Sequence, residues 1–278
     1  MPLIPPDPAE LALPTRQPKP RHQGITSMID FGPDTFGWSG GETGIRNLLE
    51  VAADFIDSAK IFAMNALLIP APMVKRVASL YRDAGIKPFA GGILFEYAWQ
   101  RNQIDELVRL LRQLGIPALE ISENYITLTD DERRRMIDLF QNQGIAIVYE
   151  FGRKNPEQPI GMDELAGLVH SIGEQGIRHM TVEQCEIDLM VAHDPGAMKT
   201  LADQPWFSSI VIEVDPYRFP EQHAKLIHDF GPDVNLANVT PGQIMRVENF
   251  RRGLGRAVNF SIVSGDSSRP AGAARNPA

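Results

Sequence analysis

Acids recur at the ends of short apolar runs in this chain: Asp30 in "MIDFG", Glu120 in "ALEIS", Glu150 in "VYEFG", Glu183 in "TVEQC" and Glu213 in "VIEVD". Lys60 closes a sixth such run, and Asn235 and Asn238 sit in "VNLANV". A carboxylate at the end of a core strand is costly to bury unless something engages it. Several converging carboxylates repel one another unless a divalent cation or cationic side chains compensate. The pattern therefore reads as a hard metal site, with Mg²⁺ the expected ion, Glu120, Glu150, Glu183 and Glu213 the expected ligands, and lysines beside them. For a single acid the competing reading is structural: it caps a helix or pairs with an arginine between layers. The stretch "IVYEFGRKNP" (147–156) is the sharpest case, because Glu150 is followed within four residues by Arg153 and Lys154.

The elements that must position these residues alternate regularly. β-rich runs occupy 24–32, 54–62, 86–95, 117–122, 145–152, 179–184, 209–215 and 234–239. Between them lie amphipathic segments at 72–85, 104–115, 131–144, 162–176, 219–231 and 242–254, with Gly115 and Gly144 as expected helix stops. Eight strand-helix units with apolar, non-alternating strands predict a single (β/α)8 TIM-type barrel over residues 23–260. Function then belongs at the C-terminal ends of the strands, where the acids lie. A doubly wound open sheet is the runner-up, but no GxGxxG follows the first strand, so a dinucleotide site lacks its fingerprint.

Composition narrows the classes. The 278 residues are 43% hydrophobic and carry a net charge of −8, which argues against nucleic acid or an anionic membrane as partner. No apolar run is long enough to span a bilayer. One cysteine, Cys185, excludes an intrachain disulfide and makes a reducing cytoplasm the expected compartment. The first twenty residues contain seven prolines and read as an extended arm (1–22); 261–278 is small, polar and read as a flexible tail. A homo-oligomer acting on a small anionic substrate is expected. Of the weaker candidates, "FGPDTFGWSGG" (31–41) reads as an ordinary irregular loop before a lid or phosphate cradle. His223 and His228 read as surface residues of an outer helix. Thr240 and Pro241 offer an N-cap and first turn with free amides, a generic anion site.

The blocks "AGGILFEYAW" (90–99), "ALEISENYITLTDDER" (118–133), "YEFGRK" (149–154) and "VNLANVTPGQIMRVENFRRGL" (234–254) resemble those of phosphosulfolactate synthases, in the same order and on the matching strands. The resemblance covers about 24–255. It implies a (β/α)8 barrel, Mg²⁺ dependence and the addition of sulfite to phosphoenolpyruvate, on a route to coenzyme M. Lys154 resembles the lysine proposed as proton donor. Lys60, Glu150, Asp30, Glu120 and Glu213 match charged positions at the family's barrel mouth. The resemblance thus makes Lys154, Lys60 and Glu150 the expected catalytic set, with Asp30, Ser122, Arg153, Asn235 and Asn238 expected around the substrate. The chemistry is consistent: attack of a sulfur nucleophile at C3 of an enol phosphate builds charge on C2 and the carboxylate, which a cation must hold and an acid must quench.

The chain departs from the family pattern at three strand ends. Asp30-Phe31-Gly32 stands where the family tends to Asp-Lys-Gly, "IFAMN" (61–65) replaces a Gly-Trp-Gly-Thr stretch, and Gln184, Cys185 and Glu186 replace Gly-Arg and its loop after Glu183. Each change removes a cation or a glycine that approaches a dianion. The expectation is a divergent member with the carbanion machinery retained and the anion-binding loops rebuilt. Two alternatives stay open: an Mg²⁺-dependent aldolase or lyase on a less charged acid, and a non-catalytic relative of the heat-stress-associated type.

Overall fold

In the computed structural model, which describes residues 13, 16–32, 41–255 and 258, eight parallel strands close into a barrel in chain order, β8 pairing with β1. They are β1 (Thr26–Asp30), β2 (Ser58–Ile61), β3 (Lys87–Ala90), β4 (Ala118–Ser122), β5 (Ala146–Phe151), β6 (Met180–Val182), β7 (Ile210–Glu213) and β8 (Asn235–Val239). The helices are α1 (Gly41–Ala52), α2 (Asn65–Leu68), α3 (Ala71–Asp83), α4 (Gly92–Gln100), α5 (Ile104–Leu114), α6 (Asp130–Asn142), α7 (Met162–Glu174), α8 (Gln184–His193), α9 (Ala197–Ala202), α10 (Glu221–Phe230) and α11 (Ile244–Arg251). The expected barrel is the observed architecture. No helix among the described residues is long and apolar enough to cross a membrane.

Local chemistry explains the elements. α5 repeats apolar Leu107, Val108, Leu111 and Leu114 on its buried face and stops at Gly115, whose φ of +67° a side chain would resist. α6 starts at Thr129 in a capping box with Glu132. The main core lies between strands and helices, where Met28, Ala59, Ile61, Leu119, Ile121 and Tyr149 face outward against Tyr81, Phe95 and Phe140. The third apolar run is shorter than expected. β3 ends at Ala90, and "GILF" opens α4, because the Gly92 amide turns to donate to Glu120 Oε2 at 2.9 Å. α1 and α8 complete units for which the sequence pattern had given no helix.

Of the proline-rich arm, Leu13 and residues 16–22 are described. Lys19 Nζ donates to Ala53 O and Ile56 O at 2.8 and 2.9 Å, and Arg21 pairs with Asp57 at 3.0 Å. These partners lie beside the N-terminal end of β2, so Lys19 and Arg21 sit at the barrel face opposite the acids. The 261–278 tail and most of the 31–41 loop lie outside the described residues. His223 corrects the surface reading: it is 0% exposed, packed edge-on to Phe219 at 5.0 Å, and burial pushes its pKa down to about 4. His228 is partly buried beside Asp229.

Candidate active site

Strand register decides which side chains reach the barrel interior. In parallel strands, paired residues share a face. Lys60 pairs with Phe89, Phe89 with Ala118, Ser122 with Glu150, Glu150 with Thr181, and Glu213 with Ala237. With the period of two, Lys60, Glu120, Glu150, Glu183 and Glu213 all project inward at the C-terminal mouth. All five are at most 6% exposed.

They divide into two linked groups. Lys60 Nζ lies 2.9 Å from Glu120 Oε1 and 3.0 Å from Glu150 Oε2. Lys154 reaches back from the loop after β5 to Glu183 Oε2 at 2.5 Å and Glu213 Oε1 at 3.8 Å. One oxygen each from Glu150, Glu183 and Glu213 lie within 4.8 Å of one another. Oxygens around Mg²⁺ sit about 3 Å apart in cis and about 4 Å apart in trans, given bonds of about 2.1 Å. Small side-chain rotations would therefore close the triad on such an ion. Glu213 Oε2 is buried without a hydrogen-bond partner, an unused oxygen at the same place. Glu120 stands apart from the triad, tied to Lys60 and the Gly92 amide, so three of the four expected ligands converge.

Four carboxylates face two ammonium groups, a net −2 if all are ionised. The protons respond to this excess. Burial raises Glu120 to about 7, with Glu150 adding to the rise and Lys60 opposing it. Burial and the Glu150 charge also raise Glu183, and raise Glu213 well above the usual range. For Glu150 burial works upward, but Lys60 and Lys154 outweigh it and hold the group at about 2. Burial works against the charged form of Lys154, yet Glu213, Glu150 and Glu183 together hold its pKa above normal. An ammonium thus stands where a cation is most wanted.

The remaining expected residues fall differently. Asn238 lies at the mouth end of β8 in a bulge, where Thr26 and Met28 pair with Leu236 and Val239. Its φ is +60° and its Oδ1 is buried without a partner, the kind of strain that collects at functional sites. Asn235 does not end β8 but begins it; its side chain accepts from Ile25 N and donates to Ser208 O and Ile210 O at the far end of the barrel. Asp30 shares the outward face with Met28, and its carboxylate accepts from Tyr81 Oη at 2.8 Å and Gly32 N at 2.9 Å. Ser122 is fully buried and donates to Glu96. Arg153 turns toward Thr127 Oγ1, at 2.8 Å, and lines a cavity of about 900 Å³ between α6 and α7. Neither that cavity nor the one of about 940 Å³ at the N-terminal face is lined by Lys60, Glu120, Glu150 or Glu213. Sequence reasoning missed Glu96 and Asn124, whose only signal was their place inside the quoted blocks.

Comparison with known proteins supplies the family. The (2R)-phospho-3-sulfolactate synthase (ComA) family model matches residues 14–256. The chain belongs to the phosphosulfolactate synthase family. It is 30% identical to phosphosulfolactate synthase of Methanothermobacter thermautotrophicus over 250 residues, covering 87% of this chain and 93% of the relative. The enzyme of Methanocaldococcus jannaschii is 28% identical over 242 residues, covering 84% and 92%. That of Bacillus subtilis is 26% identical over 251 residues, covering 88% and 95%. The matched span, residues 14–256, contains all eight strands and the acid-lysine ring.

Proposed function

We propose that this chain is a phosphosulfolactate synthase-like enzyme that adds sulfite, or a related nucleophile, to phosphoenolpyruvate or a similar enol acid with the help of Mg²⁺. The observation that carries this reading is the buried ring of Glu150, Glu183 and Glu213 with Lys60 and Lys154, on a chain of that family. Glu150, Glu183 and Glu213 would hold the ion. When bound, Mg²⁺ supplies positive charge for an enolate and the substrate carboxylate.

The residues then divide the work. The sulfur lone pair forms the C–S bond at C3, and the C2–C3 π pair moves onto C2 and the carboxylate. Lys60, fixed by Glu120 and Glu150, places a buried positive charge beneath that carboxylate. Lys154 delivers a proton from Nζ to C2. Glu183 and Glu213 now hold that proton on the lysine, so neutralising them readies Lys154 to release it. The bonding balances: one C–S and one C–H bond form, the C2–C3 π bond and one Nζ–H bond are lost, the phosphate ester stays, and Lys154 regains its proton from solvent.

A second reading has its own observation. Phe31 packs on Phe62 with ring centroids 4.7 Å apart at the ends of β1 and β2. An aromatic wall there favours a less charged acid, for an aldolase or lyase using the same ring. A mixture of phosphoenolpyruvate, sulfite and wild-type protein, followed by ³¹P NMR with and without Mg²⁺, separates the two. The synthase reading expects a new phosphate-ester signal only with the cation, at a rate on the order of 1 per second or more. Absence of any new ester at saturating Mg²⁺ would favour the second.

A further inference from the structure

Glu96 and Asn124 stand one tier behind the ring. Glu96, on α4, is 3% exposed, and hydrogen bonds hold its carboxylate. It accepts from Ser122 Oγ, from Asn124 N at 2.9 Å and from Tyr125 N at 2.9 Å. Those three donors come from the end of β4 and the loop after it. Glu96 therefore fixes where that loop begins, and with it the side chain of Asn124.

Asn124 spends both hydrogens of its amide on β5 and its turn. Nδ2 donates to Glu150 Oε1 at 3.1 Å and to Gly152 O at 2.9 Å. Glu150 is thus gripped on both oxygens, by Asn124 on one and Lys60 on the other. Gly152 has φ of +123°, and a Cβ there would lie 2.5 Å from Glu186 Cγ and 2.6 Å from Glu183 Cβ. The turn therefore runs hard against the end of β6, and two residues later the chain reaches Lys154. Holding the Gly152 carbonyl holds the launch point of that lysine.

We infer that Asn124, seated by Glu96, is a positioning residue that sets Glu150 and Lys154 relative to one another across the ring. The inference rests on the reading of the ring as the active site. Partners behind a cation's ligands orient them, and their loss typically costs about 10- to 100-fold in metal affinity or activity.

Two measurements on Asn124→Ala and Glu96→Gln test it. The first is Mg²⁺ calorimetry; the second is a metal-free crystal structure of each variant. Ser58→Ala serves as control, because it removes a hydrogen bond to Ser27 Oγ (2.8 Å) low in the barrel interior. Expected for Asn124→Ala is Mg²⁺ binding weakened about 10- to 100-fold, with Lys154 Nζ beyond about 4 Å from Glu183, outside ion-pair reach. Glu96→Gln keeps one acceptor oxygen and should show the same shift in smaller degree; it also decides the matter if Asn124→Ala fails to fold. Ser58→Ala should bind Mg²⁺ as the wild type does. Glu150 and Lys154 unmoved in both variants, with unchanged Mg²⁺ affinity, would overturn the inference. A wild type that binds no Mg²⁺ would remove the metal from the functional reading, and the crystal structures would still decide whether Asn124 positions the pair.

Discussion

Lys60 is the charge on which the interior most depends. It is 6% exposed and neutralises Glu120 and Glu150 at once. Removing one partner of a buried ion pair leaves the other uncompensated, at about 3–5 kcal/mol. Lys60→Met should therefore lower unfolding free energy by about that amount at pH 7, and by less at pH 5, where the stranded carboxylates take up protons; urea titrations at both pH values check this. A loss equal at the two pH values would mean the carboxylates find other cations. At this scale the inward acids were legible because a period of two follows directly from sequence. Asp30 was misread because its face depends on the register with β2, where it pairs with outward Ile61. Asn235 and Asn238 are three apart on one strand, and because Asn235 begins it only Asn238 reaches the mouth.

At the scale of elements, the β5 turn is a tight joint. Gly152→Ala meets both a left-handed φ and two side chains from the β6 end. Strain of this kind costs about 1–3 kcal/mol, and the clash adds to it. The variant should melt several degrees lower and lose its turnover; retention of wild-type turnover would show that the turn tolerates displacement. α6 offers the contrasting case. Thr129→Ala breaks the capping box with Glu132 and should cost about 1 kcal/mol in denaturant unfolding with turnover unchanged. Helices with a clear apolar period and a glycine stop, such as α5, were readable. α4 was not, since "GILF" carries the composition of a strand and only the tertiary contact from Gly92 N to Glu120 turns it into a helix.

For the whole molecule the ring predicts how stability follows pH. Glu120, Glu183 and Glu213 have raised pKa values, so without metal their contribution is fully present below about 4.5, the unfolded value, and is lost as pH rises; for Glu120 that loss is complete by about 7. His223 acts oppositely: its pKa is lowered to about 4, so its contribution is present above about 6.5 and lost as pH falls through 4. The Glu120 and His223 shifts each correspond to about 3 kcal/mol. Because three raised acids oppose one lowered histidine above the unfolded carboxylate value, metal-free protein should melt highest near about pH 4.5, and saturating Mg²⁺ should move that maximum upward. A melting profile that Mg²⁺ leaves unchanged from pH 5 to 9 would contradict the triad as its site. Whether Lys154 protonates the carbanion inside this ring is decided by the turnover of Lys154→Ala with phosphoenolpyruvate, sulfite and Mg²⁺. Loss of a proton donor costs about a hundredfold to ten-thousandfold in rate. Turnover should fall within that range while the variant stays folded by circular dichroism, melting somewhat lower because Glu183 and Glu213 lose their counter-charge; turnover at the wild-type rate would contradict the proton-donor role.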